Sequence, residues 1–301
     1  MRDVRRGSVR QALGRAAWRL GGQARRTRSA FRRALGLIGW RRGRGPVTRR
    51  GASAQASRAT ASAVPVVVCV WRRPHFLERT LRSVAAQTQA EVKLYVWNNN
   101  LALRDHVDET VSRLAGLDVE VEHSRRNVGG FGRFYIARRL AEKHRYVVFL
   151  DDDQVPAPDC VTTMLAEATP ATARSMWAYN FRGTTHFGDR IDAEPGERVK
   201  YAGTGGFICD TRIFAERGLY ECPRRFWFVE DLWLSYYADD VLGWRLHKSA
   251  ARIDGVADEL DQSRALGPTK DRLFRYLVRR RGWDPVLLER ESANAQAQTV
   301  V

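Results

Sequence analysis

From Val64 onward, apolar runs and amphipathic stretches alternate along the chain. Val66 to Val70 is an unbroken apolar run, and Phe76 to Gln87 puts Leu77, Leu81 and Val84 on one helical face. Val92 to Trp97 is a second run, closed by Asn98-Asn99-Asn100; residues 103–116 predict a helix and Val119 to Glu122 a short strand. Asn127-Val128-Gly129-Gly130-Phe131-Gly132 reads as a turn into a helix that runs through Leu140, and Tyr146 to Leu150 then leads into Asp151-Asp152-Asp153. Short apolar runs bounded by turn residues are strands buried on both faces. With helices between them they predict a parallel sheet with right-handed crossovers.

The second half is less regular. Residues 159–168 predict a helix, and 176–208 predict short strands and loops ending in Gly203-Thr204-Gly205-Gly206-Phe207. Phe226 to Tyr237 is rich in aromatics around Glu230-Asp231, with a helix starting near Asp231. Residues 270–281 predict a basic helix with Leu273, Phe274 and Leu277 apolar. The expected organisation is a basic tail and linker over 1–62, one α/β domain over 63–255, and a C-terminal helix and tail over 256–301.

Charge separates the tail from the body. The net charge is +17, yet residues 1–60 hold 17 Arg against one Asp, and the rest holds 34 basic against 33 acidic residues. Within 1–44, Leu13, Ala17 and Leu20, then Phe31, Ala34, Leu35 and Ile38, fall on helical stripes. Such a segment is a candidate for peripheral contact with an acidic membrane surface. The competing reading is a solubilising tail without fixed structure. A nucleic-acid arm is disfavoured, because the near-neutral body predicts no basic groove to continue it. Residues 45–63 read as a linker. Cys69, Cys160, Cys209 and Cys222 form no CxxC pair, so neither a zinc site nor a disulfide framework is expected. No run of 18 apolar residues and no secretion signal is present, so the expected location is the cytoplasm.

Three adjacent carboxylates at a strand end repel one another, and a hard divalent cation with oxygen ligands relieves that repulsion. Alternation along an extended chain would put Asp151 and Asp153 on one side and Asp152 on the other. The bland alternative is an acidic turn after a core strand.

In order, these stretches resemble glycosyltransferase family 2 on the GT-A nucleotide-sugar fold. The resemblance rests on Val66 to Gln87, the strand ending at Asn98, the Asn127-x-Gly129-Gly130 turn, Leu150-Asp151-Asp152-Asp153, and Phe228-Val229-Glu230-Asp231-Leu232-Trp233-Leu234. It spans residues 64–250. It implies a Rossmann-like, mostly parallel sheet flanked by helices, with a smaller irregular half on the acceptor side. It also implies an inverting transfer of one sugar from a nucleotide-diphosphate sugar to a glycan, lipid-linked or protein acceptor. Asp151 and Asp153 match the family's Asp-x-Asp motif, implying Mn2+ or Mg2+, with His247 a further candidate ligand against a structural role. Trp71, Arg73, Asn98, Asn99, Asn127, Gly129, Gly130, Asp151 and Asp152 are implied on the nucleotide-sugar side. Asn98 stands where the family usually has Asp, which leaves the base open, with uracil the default. Trp71 either stacks on the base or packs in the core. Arg125, Arg126 and Arg133 flank the glycine turn and are candidates for phosphate contact or a solvated face. Asp231 is implied as catalytic base and Glu230 as its support, though Asp231 also suits a helix cap. Gly205, Gly206 and Trp227 are implied on the acceptor side. The alternatives are a nucleotidyltransferase, or a sugar-nucleotide-binding module without catalysis. The processive Gln-x-x-Arg-Trp signature is absent.

Overall fold

Side-chain alternation on the central strands decides what packs where in this computed structural model, which describes residues 48–51, 63–114, 116–183, 185–255 and 262–285. In chain order the elements begin with β1 (Thr48–Gly51), β2 (Val64–Val70), α1 (Pro74–Ala85), β3 (Val92–Asn98), α2 (Arg104–Ser112), β4 (Val119–His123), α3 (Phe131–Leu140) and β5 (Tyr146–Asp151). They continue with β6 (Gln154–Pro156), α4 (Cys160–Glu167), β7 (Thr172–Ser175), β8 (Ala178–Phe181), β9 (Arg190–Asp192), β10 (Arg198–Val199), β11 (Tyr201–Ala202) and β12 (Phe207–Asp210). The last are α5 (Glu230–Tyr236), β13 (Arg245–Lys248), β14 (Ile253–Gly255) and α6 (Gly267–Tyr276).

Among the described residues the main sheet has nine strands, ordered β1-β4-β3-β2-β5-β12-β7-β13-β10. Strands β4, β3, β2 and β5 are parallel to one another, as expected for strands joined by helical crossovers. Beyond β5 the sheet turns mixed: β12 runs antiparallel to both β5 and β7, and β13 parallel to β7. Small sheets β11-β8-β9 and β14-β6 complete the irregular half. Within the stretch read as a linker, Thr48–Gly51 pairs antiparallel with β4 at the sheet edge. The tail over 1–44 lies outside the described residues, and so does the end of the C-terminal segment.

Both faces of the parallel half are buried. Val66, Val68 and Val70 with Leu94, Val96, Val148 and Leu150 form one core with Leu77, Leu81 and Val84 of α1 and Met164 of α4. Val67, Tyr95, Trp97, Val147 and Phe149 form the other with Phe131, Phe134 and Ala137 of α3 and much of α5 and α6. Each fully buried Leu or Val contributes about 1.5–3 kcal/mol, so a charge at Leu81 would unseat α1. The alternation also sets which way the residues after Leu150 point. Odd positions face α3 and even positions face α1, a two-residue period that carries into the acidic run. No helix among the described residues is long and apolar enough to cross a membrane.

Candidate active site

The three carboxyls at the end of β5 are each held by an arginine. Asp151 continues the odd face and pairs with Arg133 of α3, Nη2 to Oδ1 at 2.9 Å. Asp152 points to the α1 side and is buried; Arg73 Nη2 donates to its Oδ1 at 2.9 Å, and the Trp71 N–H donates to its Oδ2 at 3.4 Å. The chain turns after Asp151, so Asp153 leaves strict alternation and meets Nη1 of the same Arg73. Burial pushes Asp152 up to about 7 against the pull of Arg73. Burial and the Asp151 charge push Asp153 up as well, which places Asp151 and Asp153 within electrostatic reach of each other. The expected sharing of one site by these two is therefore compatible with the geometry, while Asp152 is a buried anchor for Arg73 rather than a ligand contact.

Arg133 is the centre of the site. It is 6% exposed. Its Nη1 donates to the Thr204 carbonyl at 2.7 Å, and its Nε stands 4.0 Å from Glu230 Oε1. It ties Asp151, at the end of β5, to Glu230, at the start of α5. Burial works against its charge, but Cys69, Asp151 and Glu230 more than restore it. It is buried, not solvated, unlike the flanking role considered from sequence. Gly205 fits between these parts: a Cβ there would overlap Asp151 Oδ2 and come within 2.8 Å of Gln154 Nε2. Gly206, at φ +63°, instead turns toward Ile253 and Met176.

Glu230 and Asp231 open α5 with opposite environments. Glu230 lies over Gly130, accepts from the Thr204 hydroxyl at 3.2 Å, and is driven by burial up to about 7 despite Arg133. Asp231 accepts from the Tyr201 hydroxyl at 2.5 Å and Lys270 Nζ at 2.7 Å, both on Oδ2. Its Oδ1 accepts the Leu232 N–H at 2.7 Å, but Asp231 sits inside the first turn and Val229 is the N-cap residue, so the capping role expected from sequence is not the one it plays. Burial would raise this carboxyl, but Lys270, the Tyr201 hydroxyl and His186 outweigh it and hold it at about 2.

Several residues expected to meet the nucleotide are spent inside the protein. Asn98 is fully buried; its Nδ2 meets His123 Nδ1 at 3.0 Å and its Oδ1 accepts the Asn100 N–H at 2.8 Å. Asn99 accepts from Trp97 Nε1 and the Val128 N–H and donates to the Gly129 carbonyl. Both asparagines brace strand ends and the glycine turn, so neither is placed to read a base. Asn127 closes that turn on the Gly129 N–H at 2.8 Å. Gly129, at φ +62°, has no room for a Cβ because of the Trp227 carbonyl, and Gly130 has none because of Glu230. The close approach these glycines allow is to the 227–230 segment. Trp71 stays half-buried, with Arg72 5.7 Å from its ring centroid, at the open end of β2.

Trp227 packs rather than presents a ring. It lies 5.4 Å from the Phe131 ring and gives its N–H to the Cys222 carbonyl at 3.0 Å. Its neighbour Phe228 is the exposed aromatic, along with Trp177 beside Gly203. His247 does not reach the acidic run. It lies on β13, three strands from β5 and in register with Arg174, which at about 4.8 Å per strand is roughly 14 Å sideways. Its Nδ1 meets the Gly196 carbonyl, and burial with Arg174, Arg198 and Arg245 holds its basicity down.

The carboxyls present fit a divalent cation held jointly with a diphosphate. Among the described residues no three His, Cys, Asp or Glu converge as a ready cage. Magnesium-type sites use one or two carboxylates plus substrate phosphates. Asp151 is 39% exposed at its side chain, and Asp153 22%. Arg73 has Asp152 as a second partner, so it can release Asp153 and stay in place. Sequence reading missed Tyr201, Lys270 and His186. A basic residue among the apolar positions of the C-terminal helix was the available signal for Lys270; none marked the other two.

Residues 66–213 match the family model for glycosyl transferase family 2. Among solved structures, GalNAc-T7 with UDP, GalNAc and Mn2+ is similar at a TM-score of 0.53 and 17% identity, covering 66% of this chain and 44% of that one. The present chain thus spans less than half of that relative. The mannosyltransferase PcManGT from Pyrobaculum calidifontis, with GDP-Man and Mn2+, is similar at a TM-score of 0.50 and 14% identity, covering 94% of this chain and 79% of that one. At these identities the likeness establishes the fold. No curated protein sequence matches the chain.

Proposed function

From the match of residues 66–213 to glycosyl transferase family 2, we propose that the chain moves one sugar, with inversion, from a nucleotide-diphosphate sugar to an acceptor hydroxyl, with Asp231 taking the proton. One observation carries the reading: Arg133 joins Asp151, at the strand edge where open α/β sheets bind ligands, to Glu230, next to Asp231 and about 80 residues further on. Donor-side and acceptor-side carboxyls thereby share one site.

Asp151 and Asp153 would hold Mn2+ or Mg2+, which when bound neutralises charge on the departing diphosphate. Gly205 keeps the backbone close against Asp151 and leaves the sugar room. The acceptor oxygen bonds to the anomeric carbon as the bond to the diphosphate breaks, and its proton passes to Asp231. A carboxylate as weakly basic as Asp231 takes that proton late, once the O–H has become strongly acidic through bonding to carbon. Trp177 and Phe228 offer exposed rings near the acceptor side, which suits a sugar face. The acceptor is a glycan, a lipid-linked sugar or a protein, met on the cytoplasmic side, with the 1–44 tail a membrane contact.

The test is thermal stability of the full chain against nucleotide diphosphates and their sugars, with and without Mn2+. A shift for one nucleotide that needs the metal and vanishes in Asp153→Ala supports the donor site. Asp231→Asn should keep that shift and lose transfer. No shift with any nucleotide in folded protein would sink the proposal in favour of a binding module with another ligand.

A further inference from the structure

One of the two side chains that donate to Asp231 Oδ2, Lys270, comes from a part of the chain beyond the family match, which ends at residue 213. Lys270 lies on α6 and is only 5% exposed. Burying an ammonium is costly unless it is paired and hydrogen-bonded. Its Nζ donates to Asp231 Oδ2 at 2.7 Å and to the Tyr201 hydroxyl at 3.1 Å, and stands 5.3 Å from the Tyr201 ring centroid. Tyr201 in turn donates to the same Oδ2 at 2.5 Å. A carboxylate oxygen with two donors has no lone pair left for a third. Oδ1 accepts only the Leu232 N–H among the described contacts, which leaves it one free lone pair. The helix that delivers Lys270 is firmly seated. Leu273 and Phe274 are fully buried, the Phe274 ring lies 4.8 Å from that of Phe181, and Asp271 accepts the His186 N–H at 2.7 Å.

Resting on the transfer reading above, we infer that Lys270 is a positioning residue of the reaction: with Tyr201 it fixes the Asp231 carboxylate and reserves Oδ1 for the acceptor hydroxyl. The groups facing Asp231 are Glu230 on α5, Tyr201 on β11, Lys270 on α6 and His186 in the loop before β9, with Arg190 of β9 reaching the His186 ring. Burial and Lys270 hold His186 down at about 3, so it is neutral at pH 7. Lys270 is then the full positive charge in direct contact with Asp231. Removing it lets burial raise the carboxyl, so Asp231 protonates at higher pH.

The experiment follows nucleotide release by the full chain from pH 4.5 to 9 in Lys270→Met, Lys270→Ala, Tyr201→Phe and Asp231→Asn. Lys270→Met should lower kcat by about 100-fold, the cost of a misplaced reacting group, with donor KM nearly unchanged. Wild-type Asp231, held at about 2, gives no limb of its own within this window; in Lys270→Met burial should raise it by more than about two pH units, so that an acidic limb enters above pH 4.5. Ethylammonium should restore activity to Lys270→Ala, and tetramethylammonium, too large for the site, should not. A merely structural lysine would bring in no acidic limb and no response to the small amine, and that result overturns the inference. If Lys270→Met fails to fold, Tyr201→Phe carries the test: it removes the other donor on Oδ2, and an unmoved profile there counts equally against the idea. Full transfer by Asp231→Asn would refute the base assignment itself. Loss in Asp231→Asn with an unmoved profile in the Lys270 and Tyr201 variants would sink only this inference.

Discussion

Arg133→Met tests the idea that one buried guanidinium holds the two halves of the site together. The arginine donates to the Thr204 carbonyl and to Asp151 and stands 4.0 Å from Glu230. Losing one member of a buried pair costs about 3–5 kcal/mol, but not every part of that applies here. Asp151 is 39% exposed, so water screens it and its share is about 0.5 kcal/mol. The stranded Thr204 carbonyl costs about 1–3 kcal/mol. Glu230 has an escape, because it already titrates near 7 and can take a proton. At pH 6 it is largely neutral with or without Arg133, so the arginine's charge is worth less there. At pH 8 the wild type keeps Glu230 ionised with Arg133 beside it, and the variant cannot do so cheaply. The expected loss is about 2 kcal/mol at pH 6 and about 3–4 kcal/mol at pH 8. At about 2–4 °C per kcal/mol for a domain of this size, Tm should fall by roughly 6–16 °C at pH 8 and less at pH 6. Calorimetry at both pH values, alongside transfer assays, reads this directly. An equal Tm loss at the two pH values would falsify the Glu230 part of the reasoning. No loss at either would refute the hub.

Other outcomes rest on single contacts. Gly205→Ala forces a Cβ against Asp151 Oδ2 and Gln154; metal-dependent nucleotide binding should weaken by at least about tenfold while the fold survives, checked by calorimetric titration and circular dichroism. Glu230 is raised from 4.5 to about 7 on folding. The folded form therefore holds its proton more tightly, and wild-type stability should fall as pH rises from 4.5 through 7 and then level off; denaturant titration of Glu230→Gln should show a shallower slope, the remainder coming from Asp152, which burial also raises to about 7. Asn98→Ala strands His123 Nδ1 and the Asn100 N–H, costing about 2–3 kcal/mol in denaturant midpoint analysis with no change in preferred nucleotide base. His247→Ala should leave metal-dependent nucleotide binding unaltered in the same titration.

The parallel half of the fold was legible because its signals are local. Val66 to Val70 and Tyr146 to Leu150 are buried on both faces, so their composition alone marks them. The mixed half was not legible in detail. β7, β12 and β13 are four residues each and take their register from neighbours far along the chain. At the site, the acidic run and the Glu230-Asp231 pair could be read as chemistry, but not their partners. Arg133 reads like Arg125 and Arg126 in sequence. Only its place on α3, between buried Phe131, Phe134 and Ile136, turns it inward toward β5. Asn98 and Asn99 misled for a related reason. A strand end that borders a ligand cleft also exposes backbone groups that need partners, and amide side chains suit both tasks. Here His123, Asn100, Val128 and Gly129 took those bonds. Lys270 lies 39 residues from Asp231, and its meaning depends on how α6 docks.

These contacts leave the site short of positive charge. Asp151, Asp152, Asp153, Glu230 and Asp231 face Arg73, Arg133 and Lys270. When all five carboxyls are ionised the balance is two negative charges, and partial protonation of Asp152 and Glu230 near neutrality is one way the protein limits it. A nucleotide diphosphate adds two or more negative charges at the edge of β5. Without a cation it meets repulsion from Asp151 and Asp153, and the arginines beside them are already engaged. A divalent ion between these carboxylates and the diphosphate cancels the excess on both sides at once. On the proposed reading, the cation would then belong to donor binding and not only to diphosphate departure. Chelation by EDTA should abolish the nucleotide-induced thermal shift itself, and a shift of full size in EDTA would show that Arg73 and Arg133 hold the diphosphate unaided.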